Sequence, residues 1–294
     1  MIKWQMNNNQ AIIYEDNVLY CNFKPFFELG KKVVGFSNEC IDYLDKSKIN
    51  DATITELQDV ITSLYFSSRK TYYSILILCN KGHGEDAMNL TRTIFENFLV
   101  QKFIQLNPEE YLPKFSNYQF LMQKYLLDKA KKNHGSNFPV IDKVNREILK
   151  HEKDILENYN KIKLFYVKEG RDEEKQLNKF KYGRWAGIIR SKMSEMTDLV
   201  PDYENAFSFH SCFTHPNIFG LKDFCLKSIS GTNFKSTPSD AEIFPALPTG
   251  TRYFLLSLRE WTNIFNLVKN SQIDSYLNEL TKLEEDYVYK NSFS

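Results

Sequence analysis

A chain of 294 residues, 42% of them hydrophobic and 15% aromatic, has enough apolar material to bury a sizeable core. Its 38 Lys and Arg against 37 Asp and Glu leave a net charge of +1, so no global field draws it to nucleic acid or an anionic membrane. Only 11 Gly and 9 Pro interrupt it, which favours long helices over many short strands.

Residues Ala11–Cys21 hold two short β-prone runs around Glu15-Asp16-Asn17 and predict a small hairpin within an extended N-terminal segment, 1–24. From Pro25 to Leu44 the apolar positions Phe26, Leu29, Val33, Phe36 and Ile41 recur at helical spacing. Thr53-Ile-Thr-Glu56 matches a capping box and predicts a second helix ending near Asn80–Gly82. A third runs from Gly84 through Leu106. Asn107-Pro108-Glu109-Glu110 then reads as a cap, a proline at the first helical position and acids in the first turn. That fourth helix reaches about Lys132, and His134–Pro139 reads as a loop. Val140–Glu169 is charged and weakly amphipathic, either a long exposed helix or an insertion packed on the body. Trp185, Ile188, Ile189 and Met193 mark another helix, and Tyr203–Phe213 one more. Phe219–Phe244 is a long ordered loop or hairpin, and Thr251–Val268 and Ile273–Tyr289 are helical again.

The expected class is all-α: one multi-helix bundle over 25–294. The five cysteines (Cys21, Cys40, Cys79, Cys212 and Cys225) form no CxxC pair, and their odd, scattered pattern reads as reduced thiols. The longest apolar run, Ile75–Cys79, falls far short of the roughly 20 residues that cross a bilayer, and Met1–Gln10 lacks the apolar stretch of a signal peptide. A cytoplasmic protein with no membrane contact is the expectation.

Two constellations could carry chemistry. On the third helix, Glu85, Asn89, Arg92 and Glu96 fall on one stripe of an otherwise apolar surface, with Arg92 and Glu96 four apart and able to pair. Such a stripe is either an ion pair locking helices or part of a site. Further on, Tyr203, Ser211 and His215 share helical spacing, with His210 nearby and Pro216 ending the helix after His215. An imidazole there can transfer protons near neutral pH or cap the last turn. His210 and His215 are five apart, where helical zinc ligands use four, and no third ligand has a recognisable spacing, so no metal is expected. GxxxxGK[ST], GxGxxG and GxSxG are missing, and no cofactor is expected. Lys81-Gly-His-Gly84 could present amides to an anion or simply turn. Lys129–Lys132 is a short basic segment. The run Lys175–Arg190, with Phe180, Tyr182 and Trp185 among its basic residues, fits single-stranded nucleic acid or a solvated face near a core tryptophan. The near-zero net charge favours the second.

The pattern GxxEDAxxLxRxxFE from Gly82 to Glu96, then WxxxIR from Trp185, then Tyr203, Ser211 and His215-Pro216, resembles the bacterial domain-of-unknown-function 5677 family over about 54–219. The resemblance implies an all-helical bacterial or phage-borne protein with an Arg, Glu and His from more than one helix, at matching positions Arg92 and Glu96 on one and His215 on another, with Tyr203 and Ser211 beside them. It supplies no established activity. Comparison with HEPN ribonucleases and abortive-infection toxins implies an Arg four to six residues from the His on one helix. No Arg precedes His215 at that spacing, so Arg92 would have to come from another helix or from a second protomer, which makes a homodimer one arrangement. Two functions follow. One is a metal-independent ribonuclease-like defence or toxin component acting on RNA, with His215 as acid or base and Arg92 on the phosphate. The other is a non-catalytic module that binds a partner protein or senses a signal, with the same polar residues as a structural network.

Overall fold

The computed structural model describes residues 21–46, 54–133, 138–168, 170–181, 183–209, 225–228, 231–234, 242–267 and 269–292. The hairpin expected at Ala11–Cys21 lies outside them apart from Cys21, which opens a 3-10 turn, Cys21–Phe23, leading straight into α1, Lys24–Lys46. Helix α2, Glu56–Asn80, starts at Thr55 rather than Thr53: the Thr55 hydroxyl accepts from Gln58 N–H at 3.2 Å, and Gln58 Oε1 accepts from Thr55 N–H at 3.0 Å. Two overlapping capping-box registers are written here, and the second is used. At the far end Gly82, with φ of 79°, lets the chain fold back. The amides of Gly82 and His83 donate to the Cys79 and Leu78 carbonyls. Lys81-Gly-His-Gly84 is therefore a helix stop whose amides serve the preceding helix.

Helices α3 (Gly84–Leu106) and α4 (Pro108–Lys132) have the expected bounds, α4 capped by the Asn107 side chain. Basic Lys129, Lys131 and Lys132 lie in the last turn of α4, where they complement the carbonyl end of the helix. The 140–169 stretch forms α5 (Pro139–Lys150) and α6 (Glu152–Ile162), both packed on α4. Asn145 is buried, its amide donating to the Asn133 carbonyl, while Val140, Ile141 and Val144 of α5 face outward. A short α7 (Glu173–Leu177) and a 3-10 turn (Asn178–Phe180) follow.

The helix expected around Trp185–Met193 begins only at Arg190 (α8, Arg190–Met196), because Gly183 and Gly187 take φ of 77° and 74° and break the preceding stretch. One turn, α9 (Val200–Asp202), runs into a π-helical segment, Tyr203–Phe209. Strands β1 (Cys225–Ser228) and β2 (Gly231–Phe234) pair antiparallel within the 219–244 stretch. Helix α10 spans Ile243–Ile264, starting eight residues before Thr251, and α11 spans Asn270–Ser292. No helix among the described residues is long and apolar enough to cross a membrane.

At the centre, α2, α3 and α10 pack on one another. Tyr65 and Tyr72 of α2 interleave with Phe254 and Trp261 of α10 in a ladder of near-parallel rings. Trp261 lies 4.6 Å from Tyr65, Tyr65 6.0 Å from Phe254, and Phe254 4.6 Å from Tyr72. Residue numbers rise along one helix as they fall along the other, so the two run antiparallel. Each polar ring edge has a partner: Tyr65 with Ser37, Tyr72 with Thr251, and Trp261 with Thr62. Buried Gln101 ties the third helix in, donating to the Ile61 carbonyl and accepting from Ser257. Helices α1 and α11 both pack on α10 and on each other, with Phe36 against Tyr276. A second cluster, including Leu121, Tyr159, Tyr166, Leu177 and Phe180, holds the 160–180 region against α4.

Candidate functional site

The stripe on α3 divides at its middle. Met88, Ile94, Phe95, Phe98 and Leu99 are buried in the core, which fixes the rotation of the helix. That rotation leaves Arg92 and Glu96 on its edge, their side chains 22% and 30% exposed, with Arg92 Nε 3.1 Å from Glu96 Oε1. They are neither sealed in nor freely solvated. Glu85 and Asn89 are half-buried nearer the start of α3 and do not line the cleft that Arg92 and Glu96 open into.

The opposite wall comes from the turn before α8. Arg190, the first residue of α8, brings its Nε to 3.6 Å from Glu96 Oε2. Glu96 thus places one oxygen on each of two arginines carried by different helices. Gly183, Arg184, Ile189 and Tyr203 complete a cleft of about 270 Å³. Three arginines and one glutamate are among the described lining residues, so the cleft is electropositive.

Several devices hold this geometry. Trp185 is buried, its ring edge-on to Phe103 at 5.7 Å and Phe115 at 5.1 Å, and so pins the turn that carries Arg184. Tyr118 of α4 donates its hydroxyl to the Phe180 carbonyl at 2.7 Å and accepts from Gly183 N–H at 3.1 Å. Burial pushes the Tyr118 phenol above its ordinary pKa, so it stays protonated and keeps donating. Gly187 is required by its positive φ and by the Phe180 ring, whose Cε1 would lie 3.0 Å from any Cβ there. On the α10 side, the Tyr253 hydroxyl donates to Asp202 Oδ1 at 2.9 Å, and Phe95 packs between Tyr253 and Tyr203, its ring 5.0 Å and 6.5 Å from theirs. These contacts seat the first turn of the π-helical segment, where Tyr203 enters the cleft. Single π turns inside helices recur at functional sites. Burial raises the pKa of Tyr203; Arg92 and Arg190 draw it down and Glu96 pushes it up. The result is a neutral phenol at physiological pH, able to donate a hydrogen bond into the cleft.

Of the five site residues expected from sequence, the structure brings three together: Arg92, Glu96 and Tyr203. Ser211 and His215 lie outside the described residues, as do His210 and Cys212. Arg184 and Arg190 belong to the basic run Lys175–Arg190 rather than to the residues expected in the site, although Arg190 closes the WxxxIR motif, and Gly183 carries no signal of its own. Phe180 and Trp185, read as aromatics interleaved in a basic run, are core residues. Among the described residues no three His, Cys, Asp or Glu side chains converge as metal ligands.

Compared with known proteins, the chain matches the model of a family of unknown function (DUF5677) over residues 58–232, more than half its length and including every lining residue of the cleft. No curated protein and no solved structure matches it.

Proposed function

The chain belongs to the DUF5677 family, and from that premise and the basic cleft we propose that it binds a phosphodiester and cleaves RNA without a metal, as a ribonuclease-like component of bacterial or phage defence. One observation carries this reading: Arg92, Arg184, Arg190 and Tyr203 converge on an open cleft with Glu96 as its single described acid. Guanidinium forks match the geometry of a phosphate, and charge-assisted hydrogen bonds are about twice as strong as neutral ones. Glu96 orients Arg92 and Arg190, and the Tyr203 phenol donates to a phosphate oxygen.

His215, twelve residues after Tyr203 and just before Pro216, takes the proton-transfer role. The ribose 2′-oxygen attacks the adjacent phosphorus while His215 accepts its proton. The bond from phosphorus to the 5′-oxygen breaks, and the leaving oxygen takes a proton from solvent. The products are a 2′,3′-cyclic phosphate and a 5′-hydroxyl. Ser211 orients the imidazole. The arginines counter the negative charge that grows on phosphorus-bound oxygen, which is the main catalytic contribution asked of them.

A second reading has its own support. The Arg190–Glu96 contact joins α8 to α3, as a structural network in a non-catalytic interaction or sensor module would. Incubation with total RNA in the presence of EDTA separates the two. Wild-type protein is expected to leave cyclic-phosphate ends, with Arg92→Ala and His215→Ala slower by about a hundredfold or more. Equal cleavage by the variants, or none by the folded wild type, contradicts the proposal. If the wild type does not cleave and both variants melt several degrees lower, the network is structural.

A further inference from the structure

The stretch Lys175–Lys192 carries six basic residues (Lys175, Lys179, Lys181, Arg184, Arg190 and Lys192) and no acid, in a chain whose net charge is only +1. Its path is fixed by two tyrosines of α4. Tyr125 donates its hydroxyl to the Leu177 carbonyl, and Tyr118 bridges Phe180 and Gly183. Tyr118 and Tyr125 are seven residues apart, two helical turns or about 10 Å. The backbone at Leu177–Lys181 and at Gly183 is therefore laid along α4 and ends at the cleft.

Which side chains face out follows from that anchoring. Leu177 and Phe180 turn inward and are buried, while Lys175, Lys179 and Arg184 are exposed. Lys181 is half-buried with its ammonium 5.8 Å from the Tyr125 ring centre, where the ring face attracts a cation. Of the acids at the margins, Asp128 pairs with Lys124 and Glu173 with Lys163, Glu195 takes up Lys192 of the stretch itself, and Asp172 and Glu174 precede Lys175, so the net cationic part is Lys179–Arg184. The result is a cationic ridge continuous with the cleft. Because Phe180 and Trp185 are core residues, the ridge offers charge but not these rings as a platform for stacking bases.

We infer that the ligand of the cleft is a single strand of nucleic acid whose backbone continues out of the cleft along the Lys179–Arg184 ridge, held through its phosphates irrespective of base sequence. This rests on the phosphodiester reading of the cleft. A volume near 270 Å³ takes one phosphate and its sugar, and the ridge supplies the phosphates that follow. Such contacts release counterions, so affinity falls with salt by a slope of about 0.7 per phosphate contacted on a single strand.

Fluorescence anisotropy on the full chain tests this, using 2′-O-methyl oligonucleotides of mixed sequence, in which the 2′-oxygen cannot attack. A 12-mer is expected to bind at least about tenfold more tightly than a dinucleotide, by the added phosphate contacts. Lys179→Gln combined with Lys181→Gln should weaken the 12-mer about fivefold or more, reduce its salt slope by about 1.4, and leave dinucleotide binding and melting temperature unchanged. If dinucleotide and 12-mer bind alike, the ridge is overturned and the cleft stands. If neither binds, the phosphodiester reading falls with it. If poly-glutamate displaces the 12-mer as effectively as unlabelled 12-mer does, the surface serves an acidic polypeptide and the inference is wrong.

Discussion

Glu96 sits between two like charges that would otherwise repel, one on its own helix and one on α8, and keeps both guanidinium groups at the mouth of the same cleft. The arrangement depends on the fork of arginine as well as its charge. Arg92→Lys keeps the charge but loses the Nε that meets Glu96, together with bidentate contact to a phosphate. Its affinity for a dinucleotide should fall about tenfold, by the loss of one charge-assisted hydrogen bond, with melting temperature little changed; isothermal titration measures the first and circular dichroism the second. Unchanged affinity would mean that Arg92 acts only as a distant point charge. The Arg92–Glu96 pair is legible in the sequence because residues four apart on a helix meet whatever the tertiary fold. Arg190 is not legible in that way. Its approach depends on the turns at Gly183 and Gly187, and no helical periodicity encodes them.

At the scale of elements, the helices that read most clearly are those bounded by local chemistry. Asn107-Pro108 starts α4 where the sequence says, and Gly82 stops α2. The misplacements have equally local causes. Thr53 and Thr55 both head a capping-box pattern, and Gln58 of the second also donates its amide to the Ile264 carbonyl of α10, a contact that no local pattern contains. The sequence reading starts this helix at Thr251, yet Pro248 and Gly250 before it lie buried inside α10. Gly250 marks a close approach: a Cβ there would come within 3.0 Å of Ile75 Cδ1 and 3.3 Å of Thr91 Cγ2, where α10 presses against α2 and α3. Helix pattern failed over Trp185–Ile189 because glycines in the left-handed region override apolar spacing. Gly187→Ala tests that turn. A left-handed alanine costs about 1–2 kcal/mol, and contact with the Phe180 ring adds to it. Chemical denaturation should show at least that loss, and dinucleotide affinity should drop as Arg184 and Arg190 shift. A variant as stable as wild type with full affinity would show that the turn does not position the cleft.

For the whole molecule, the interleaved rings of α2 and α10 are the mechanical frame on which α3, and hence the cleft, is set. Sequence shows Tyr65 and Tyr72 at the spacing of two turns. It does not show that Phe254 enters between the two tyrosines, since pairing of distant helices leaves no local trace. Phe254→Ala removes one of the two inner rings of the stack and should cost about 3–5 kcal/mol in guanidinium unfolding; a loss below about 1 kcal/mol would mean that the ladder relaxes without it. The all-helical class was legible from composition and periodicity, because few Gly and Pro in a long apolar-patterned chain leave little else. The candidate site was less legible, because the cleft is assembled from α3, the turn before α8 and the start of the π-helical segment, three pieces joined only by folding. The most direct measurement is a crystal structure with a 2′-O-methyl dinucleotide bound. Its phosphate should lie within about 3 Å of guanidinium nitrogens of both Arg92 and Arg190, with the His215 imidazole beside the modified 2′-oxygen. A phosphate bound elsewhere, with the cleft closed by Arg92, Glu96 and Arg190 alone, would contradict the account.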